Sequence, residues 1–170
     1  MFKHTGIIRR MDEFGRVVIP KEIRRKYRLC EGDPIEIGIG EDVVMLRKYS
    51  VLELFNDTTE KLLRVFEKTT KVPVILCSTS HILRTFGMGS CGSDNYIRTE
   101  LADGIKDGSC SCRGLPVTQD SKLKVEILER IMINGSVEGA LIIPQCNPEI
   151  TDAHKECLHL CAGGIAALLD

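Results

Sequence analysis

Two rhythms of apolar positions run along this chain. At IEIGI (35–39) apolar residues recur at every second position, and VVMLRKY (43–49) returns after Gly40-Glu41-Asp42, which predicts a β-hairpin. Upstream, TGIIRRM (5–11) and RVVI (16–19) flank Asp12-Glu13-Phe14-Gly15 and predict two short strands joined by a turn. Pro20 suits the first position of a helix, where its missing N–H costs nothing, and that helix is expected to reach about residue 28. Residues 1–50 therefore read β-β-α-β-β. They carry Ile7, Ile8, Val17, Val18, Ile35, Ile37, Ile39 and Val44 in a segment too short to bury them alone. A second copy of the chain is expected to complete the core.

The period then changes. Over 50–69, Leu52, Phe55, Thr59, Leu62 and Phe66 follow a three-four spacing, widened by Leu54, Leu63 and Val65. So wide a stripe suits a linking helix, packed either in a small bundle or on its own downstream domain. From residue 71 a second domain begins. VPVILCST (72–79) and HILRTFG (81–87) predict strands, and Asp94 is expected to cap a helix over 95–106. KVEILERIMI (124–133) and VEGALIIPQ (137–145) flank Asn134-Gly135, a strong hairpin signal. Thr151 is expected to cap a last helix reaching 169. The order β-β-α-β-β-α is a small α+β, sensor-like layout.

Charge sharpens this division. The 170 residues sum to −1, yet residues 1–30 hold nine Lys/Arg against three acids, and the remainder holds fourteen against twenty-one. A basic head on an acidic body fits a nucleic-acid contact made by one end of the molecule, though a solvated charged face would give the same balance. Lys21, Arg24, Arg25 and Arg28 are spaced i, i+3, i+4 and i+7, one face of the expected helix, while Arg9, Arg10 and Arg16 lie around the first turn. The arginine fork matches phosphate oxygens and guanine edges, so three segments converging on one charge favour double-stranded DNA.

Eight cysteines are a high count. With no signal-peptide core at the N-terminus, a cytoplasmic protein with reduced thiols is expected. Cys110-Ser111-Cys112, with Cys91 upstream, could sense redox state or hold a metal, but the spacing is not that of usual zinc pairs, and ordinary thiols are the favoured reading. Cys157 and Cys161 are read as core residues sharing a helix face with Ile165 and Leu168. His4, His81, His154 and His159 form no triad or metal spacing. No nucleophile–base–acid set or phosphate-binding glycine motif occurs, so neither enzyme activity nor a cofactor is expected. No apolar run approaches the ~18 residues that a membrane span requires.

The stretch TGIIRRMDEFGRVVIPKEIRR, with EGDPIEI and VVMLRKY after it, resembles the AbrB-type, swapped-hairpin DNA-binding domain of bacterial transition-state regulators. The resemblance covers nearly all of residues 1–50. It implies an α+β protein whose N-terminal hairpins interleave between two chains into one β-barrel, with Arg9, Arg16, Arg24 and Arg25 at DNA-contacting positions. Arg10 stands where relatives often carry lysine, and Lys21 where some are apolar. Residues 71–170 resemble a GAF domain, a ligand-sensing α/β fold, joined through a linking helix at 51–70. The expectation is a DNA-binding regulator of sporulation or stationary-phase genes, a homodimer with a tetramer left open, tuned by an unknown small-molecule effector. The alternative is the antitoxin of a toxin–antitoxin pair, since a related barrel occurs there.

Overall fold

The computed structural model describes residues 5–54, 57–89, 95–108, 111–146 and 149–170. It divides into two compact units, residues 1–49 and 50–170.

In the first unit, helix α1 spans Lys21–Lys26, and strands β1 (Ile35–Ile39) and β2 (Val44–Lys48) pair antiparallel. Ile37 faces Leu46 and Ile39 faces Val44 across the hairpin, while Glu36 forms an ion pair with Arg47 on the other face. Below the hairpin, Asp33 ties the chain together: Oδ2 accepts the Cys30 amide at 2.7 Å and Oδ1 pairs with Lys48 Nζ at 2.7 Å. Residues 5–11 and 16–19, expected as strands, form no ladder among the described residues; only the turn between them closes, through Asp12 N–H donating to Arg16 O and Gly15 N–H to Asp12 O. A strand requires a neighbour, and the single chain offers these segments none beyond that turn.

The second unit is a four-stranded antiparallel sheet in the order β4-β3-β6-β5, built from β3 (Val74–Ser78), β4 (Ile82–Phe86), β5 (Val125–Ile133) and β6 (Ser136–Pro144). Helices α2 (Asp57–Thr70) and α4 (Asp152–Leu169) cover one face and α3 (Thr99–Asp107) the other. Hence β3 and the second half of β6, residues 140–144, read as apolar runs, because both of their faces are buried. Val74, Leu76, Leu141 and Ile143 join Phe66, Leu158 and Ile165 on one side. Ile75, Cys77, Ala140 and Ile142 join Leu101 and Ile105 on the other. At the β5–β6 turn, Asn134 (φ 50°) and Gly135 (φ 78°) both take positive φ, as a type I′ hairpin demands.

The helix at 57–70 belongs to this second unit, with Thr59, Leu63 and Phe66 buried and Val65 exposed; a 3-10 turn, Val51–Leu54, leads into it and buries Leu52. Of the expected stripe, Phe55 lies outside the described residues. The helix expected over 95–106 begins only at Thr99. Tyr96 and Ile97 instead bridge His81 and Thr118, with Ile97 fully buried, so pairing across the sheet overrides local helix propensity there. Asp94 lies outside the described residues. On α4 the core face is Leu158, Cys161, Ala162 and Ile165; Cys157 and Leu168 are exposed, which corrects their expected packing. A helix turns 100° per residue, so a stripe through 158, 161, 162 and 165 leaves 157 and 168 on its flanks. No helix among the described residues is long and apolar enough to cross a membrane.

Candidate nucleic-acid interface

The first turn is held by one carboxylate. Asp12 Oδ1 accepts the amides of Phe14 (3.0 Å) and Arg16 (2.8 Å), and Oδ2 accepts Arg16 Nε at 2.8 Å. Gly15 makes the geometry possible with φ +75°. The Arg16 guanidinium lies 4.9 Å from the centre of the exposed Phe14 ring, a cation–π contact that further limits its rotamers. The Arg16 amide, then its guanidinium, hold the Asp12 carboxyl below its ordinary value of 3.8. A depressed native pKa means that the stabilisation is complete above 3.8 and is lost as the pH falls through the native value. In an NMR pH titration, the Phe14 and Arg16 amide shifts are expected to move together with a midpoint below 3.8. A midpoint at or above 3.8 would contradict this account of the turn.

Helix α1 carries Lys21, Arg24 and Arg25, all exposed and without an ion pair among the described residues. Arg9 and Arg10 are exposed as well, Arg9 donating from Nη1 to the Ile8 carbonyl. Lys26 leans over the Tyr27 ring at 5.5 Å.

Arg28 departs from the expected shared face, because the helix ends before it. Tyr27 is the C-cap, and Arg28 takes the left-handed conformation (φ 51°). The Leu29 amide donates to Arg24 O at 2.8 Å and the Arg28 amide to Arg25 O at 3.3 Å. That pair of bonds is a Schellman motif, whose left-handed position usually holds glycine. Arginine there carries a conformational cost of ~1 kcal/mol, and retained strain at an arginine points to use of its side chain. Relief of that strain in Arg28→Gly is expected to raise stability to urea by up to about 1 kcal/mol, and a less stable variant would contradict this account of the cap.

The apolar side of the hairpin is open. Ile37 (66%), Ile39 (87%), Val44 (71%) and Leu46 (50%) form one exposed face, and Ile8, Met11 and Val18 are exposed on the N-terminal segment. A patch of this kind marks a surface that binds something.

The thiols offer little chemistry. Cys91 and Cys110 lie outside the described residues. Cys112 is buried, its Sγ close under Gly104 of α3, and Cys77 is buried with its thiol donating to Ala140 O at 3.4 Å. Burial, with Glu126 adding to it, pushes Cys146 upward; burial, then Cys157, does the same to Cys161, so these thiols remain protonated. His154 has a structural task that sequence reasoning missed. Its Nδ1 accepts the Thr151 amide at 3.0 Å, taking the place of the glutamate of a capping box; the T-x-x-H spacing was the available signal. His159 Nδ1 lies 2.7 Å from Glu129 Oε1.

A free cationic helix, a carboxylate-pinned arginine turn and an apolar hairpin face thus come from one fifty-residue unit. Residues 8–52 match the family described as antidote-toxin recognition MazE, bacterial antitoxin. The N-terminal unit is a MazE/AbrB-type domain.

Over nearly its whole length the chain is similar to stage V sporulation protein T of Bacillus subtilis (strain 168), at 28% identity across 99% of both chains. The transition state regulatory protein AbrB of the same organism is 49% identical over 47 residues, 28% of this chain and 49% of that protein. The solved N-domain of the transcription factor abrB shares 47% identity, covering 29% of this chain and 94% of that one. The TM-score of that match is 0.27.

Proposed function

We propose that this protein is a DNA-binding transcriptional regulator of sporulation or stationary-phase genes that works as an intertwined homodimer. The observation that carries this reading is that one small unit presents Lys21, Arg24 and Arg25, exposed and without an ion pair among the described residues, together with an exposed apolar hairpin face. A second copy covers the apolar face by interleaving hairpins into a swapped barrel, and doubles the cations. The unpaired segments 5–11 and 16–19 gain ladder partners in the same step. Arg9, Arg10, Arg16, Lys21, Arg24, Arg25 and Arg28 are the DNA-contacting residues in this reading. Likeness of the first unit to a transition state regulatory protein, and of nearly the whole chain to a stage V sporulation protein, supports it.

If Arg9, Arg16, Arg24 and Arg25 of both chains neutralised phosphates, log K would fall with log salt at a slope near −0.9 × 8, about −7; base contacts would lessen it. Gel-shift titrations at several salt concentrations test this. Salt-independent binding, or none, counts against it. Arg24→Ala removes two cations per dimer, so the slope is expected to shrink by about 2, with affinity down roughly tenfold or more. An unchanged slope and affinity would exclude Arg24.

The second unit is read as a GAF-like effector sensor, and its sheet covered by helices on both faces supports a folded ligand-binding module. An effector alters DNA binding only if it favours one conformation over another. The family description of residues 8–52 favours a second reading, an antitoxin. A toxin-wrapping segment would be disordered on its own, whereas residues 50–170 bury two apolar clusters. Limited proteolysis separates the two: a resistant C-terminal fragment supports the sensor, and rapid digestion supports the antitoxin.

A further inference from the structure

Beside edge strand β5, the second unit holds a cavity of about 510 Å³, within the size range of small-molecule sites. Three parts wall it: the end of α3 with residues 111–113, β5, and the first turn of α4 with the residues just before it. Ile127, Leu128 and Ile150 supply an apolar lining. The polar groups are not balanced. Glu126 is already engaged, by Arg113 in an ion pair and by Gln145 Nε2 at 3.2 Å. Arg130 and Lys155 line the same space and have no carboxylate partner among the described residues. Asp152 is the one remaining acid in the lining, so the cavity keeps a positive excess.

Arg130, exposed on β5, reaches the end of α3. Its guanidinium lies over Gly108, the left-handed C-cap of α3 (φ +64°). A Cβ at that position would stand 2.7 Å from Arg130 Cζ and 3.0 Å from Nη2, so the glycine leaves the room that the guanidinium occupies. Two cations without a carboxylate partner among the described residues, beside a partly apolar lining, suit a ligand with an anionic end and a short apolar body. We infer that this cavity is a binding site for a small organic anion, with Arg130 and Lys155 as its cationic contacts. The site gives the sensor reading of the second unit a location, and its regulatory meaning rests on that reading.

The test is calorimetric titration of the full chain, without DNA and at fixed ionic strength, with succinate and with inorganic phosphate as probes. Saturable binding of one probe molecule per chain is expected, and the tighter probe identifies the head group. Arg130→Gln and Lys155→Gln are each expected to weaken it about tenfold or more, as loss of a charge-assisted hydrogen bond does. Asp152→Asn is expected to tighten it severalfold, an effect that a purely structural role would not produce. Arg84→Gln, on the opposite edge strand, serves as the charge control and is expected to bind as the wild type does. Lys155→Gln sits on the exposed side of α4 and keeps the test open if Arg130→Gln loosens the end of α3. Absence of saturable binding with both probes overturns the site, as does equal loss in Arg84→Gln, or unchanged binding in both Arg130→Gln and Lys155→Gln. A gel shift with and without the tighter probe then separates the two levels. Saturable binding with unaltered DNA affinity keeps the site and removes its regulatory role.

Discussion

Replacing Gly139 with alanine is expected to destabilise the second unit by about 3 kcal/mol or more, above the usual range for an inserted methyl group. Gly139 lies on β6, an inner strand of the sheet, opposite Ser78 of β3 and Ile131 of β5. A Cβ there would overlap the Cys77 carbonyl oxygen and stand 2.5 Å from Leu52 Cδ1 and 3.0 Å from Ser78 Cα. Two of those three obstacles are backbone of the neighbouring strand. They can retreat only by opening the β3–β6 ladder, which lies between the two apolar clusters of the unit. Gly163→Ala is the matching control. It lies within α4, nothing stands within 4 Å of the added methyl, and alanine replaces glycine in a helix interior. A gain of about 0.5–1 kcal/mol is expected there. Urea unfolding followed by far-ultraviolet circular dichroism reads both variants. Equal stability of Gly139→Ala and wild type would mean that β3 and β6 do not pair in this register.

The second large effect is expected at the hairpin face of the first unit. If the proposed dimer forms through this face, Ile37→Asp should leave a monomer and lower DNA affinity at least a hundredfold. In one chain the site is open to water, so a carboxylate costs little there. In a barrel shared by two chains the same carboxylate would be buried opposite Leu46 without a partner, at a cost of several kcal/mol. Losing the dimer also halves the cations on one surface, and the salt slope should fall from about −7 to about half that value. Ile37→Val removes only a methylene and is expected to cost about 0.5–1.5 kcal/mol while leaving the dimer intact. Mass determination in solution, for the full chain and for a chain truncated after the first unit, gives the oligomeric state directly. A dimeric Ile37→Asp with unaltered DNA binding would show that this face is not the one the second copy covers.

Much of this was legible residue by residue. The period-two run at 35–39 is the strand Ile35–Ile39, and the Asn134-Gly135 signal is the β5–β6 turn, because local backbone preference and burial pattern agree at both places. The cations of α1 were readable because no contact is needed to know that Lys21, Arg24 and Arg25 are charged and close on a helix. Asp12's grip on Arg16 was not readable, since an acid four residues from an arginine in a turn has many ways to point. Arg28 was misplaced because a left-handed arginine takes the position where glycine usually announces the end of a helix. Tyr96 and Ile97 were misread because their bridges to His81 and Thr118 are made across the fold.

By itself, then, the order of residues determined the secondary-structure plan, the division into a basic head and an acidic body, and the likeness of that head to a family. Each of these depends on interactions between residues a few positions apart or on composition alone. Only the tertiary structure decided that the helix after the head packs on the downstream sheet, which glycines are pressed against a neighbouring backbone, and where Arg130 and Lys155 share one cavity. Those facts depend on distances between residues far apart in sequence, and such distances are set by packing, which no local pattern encodes.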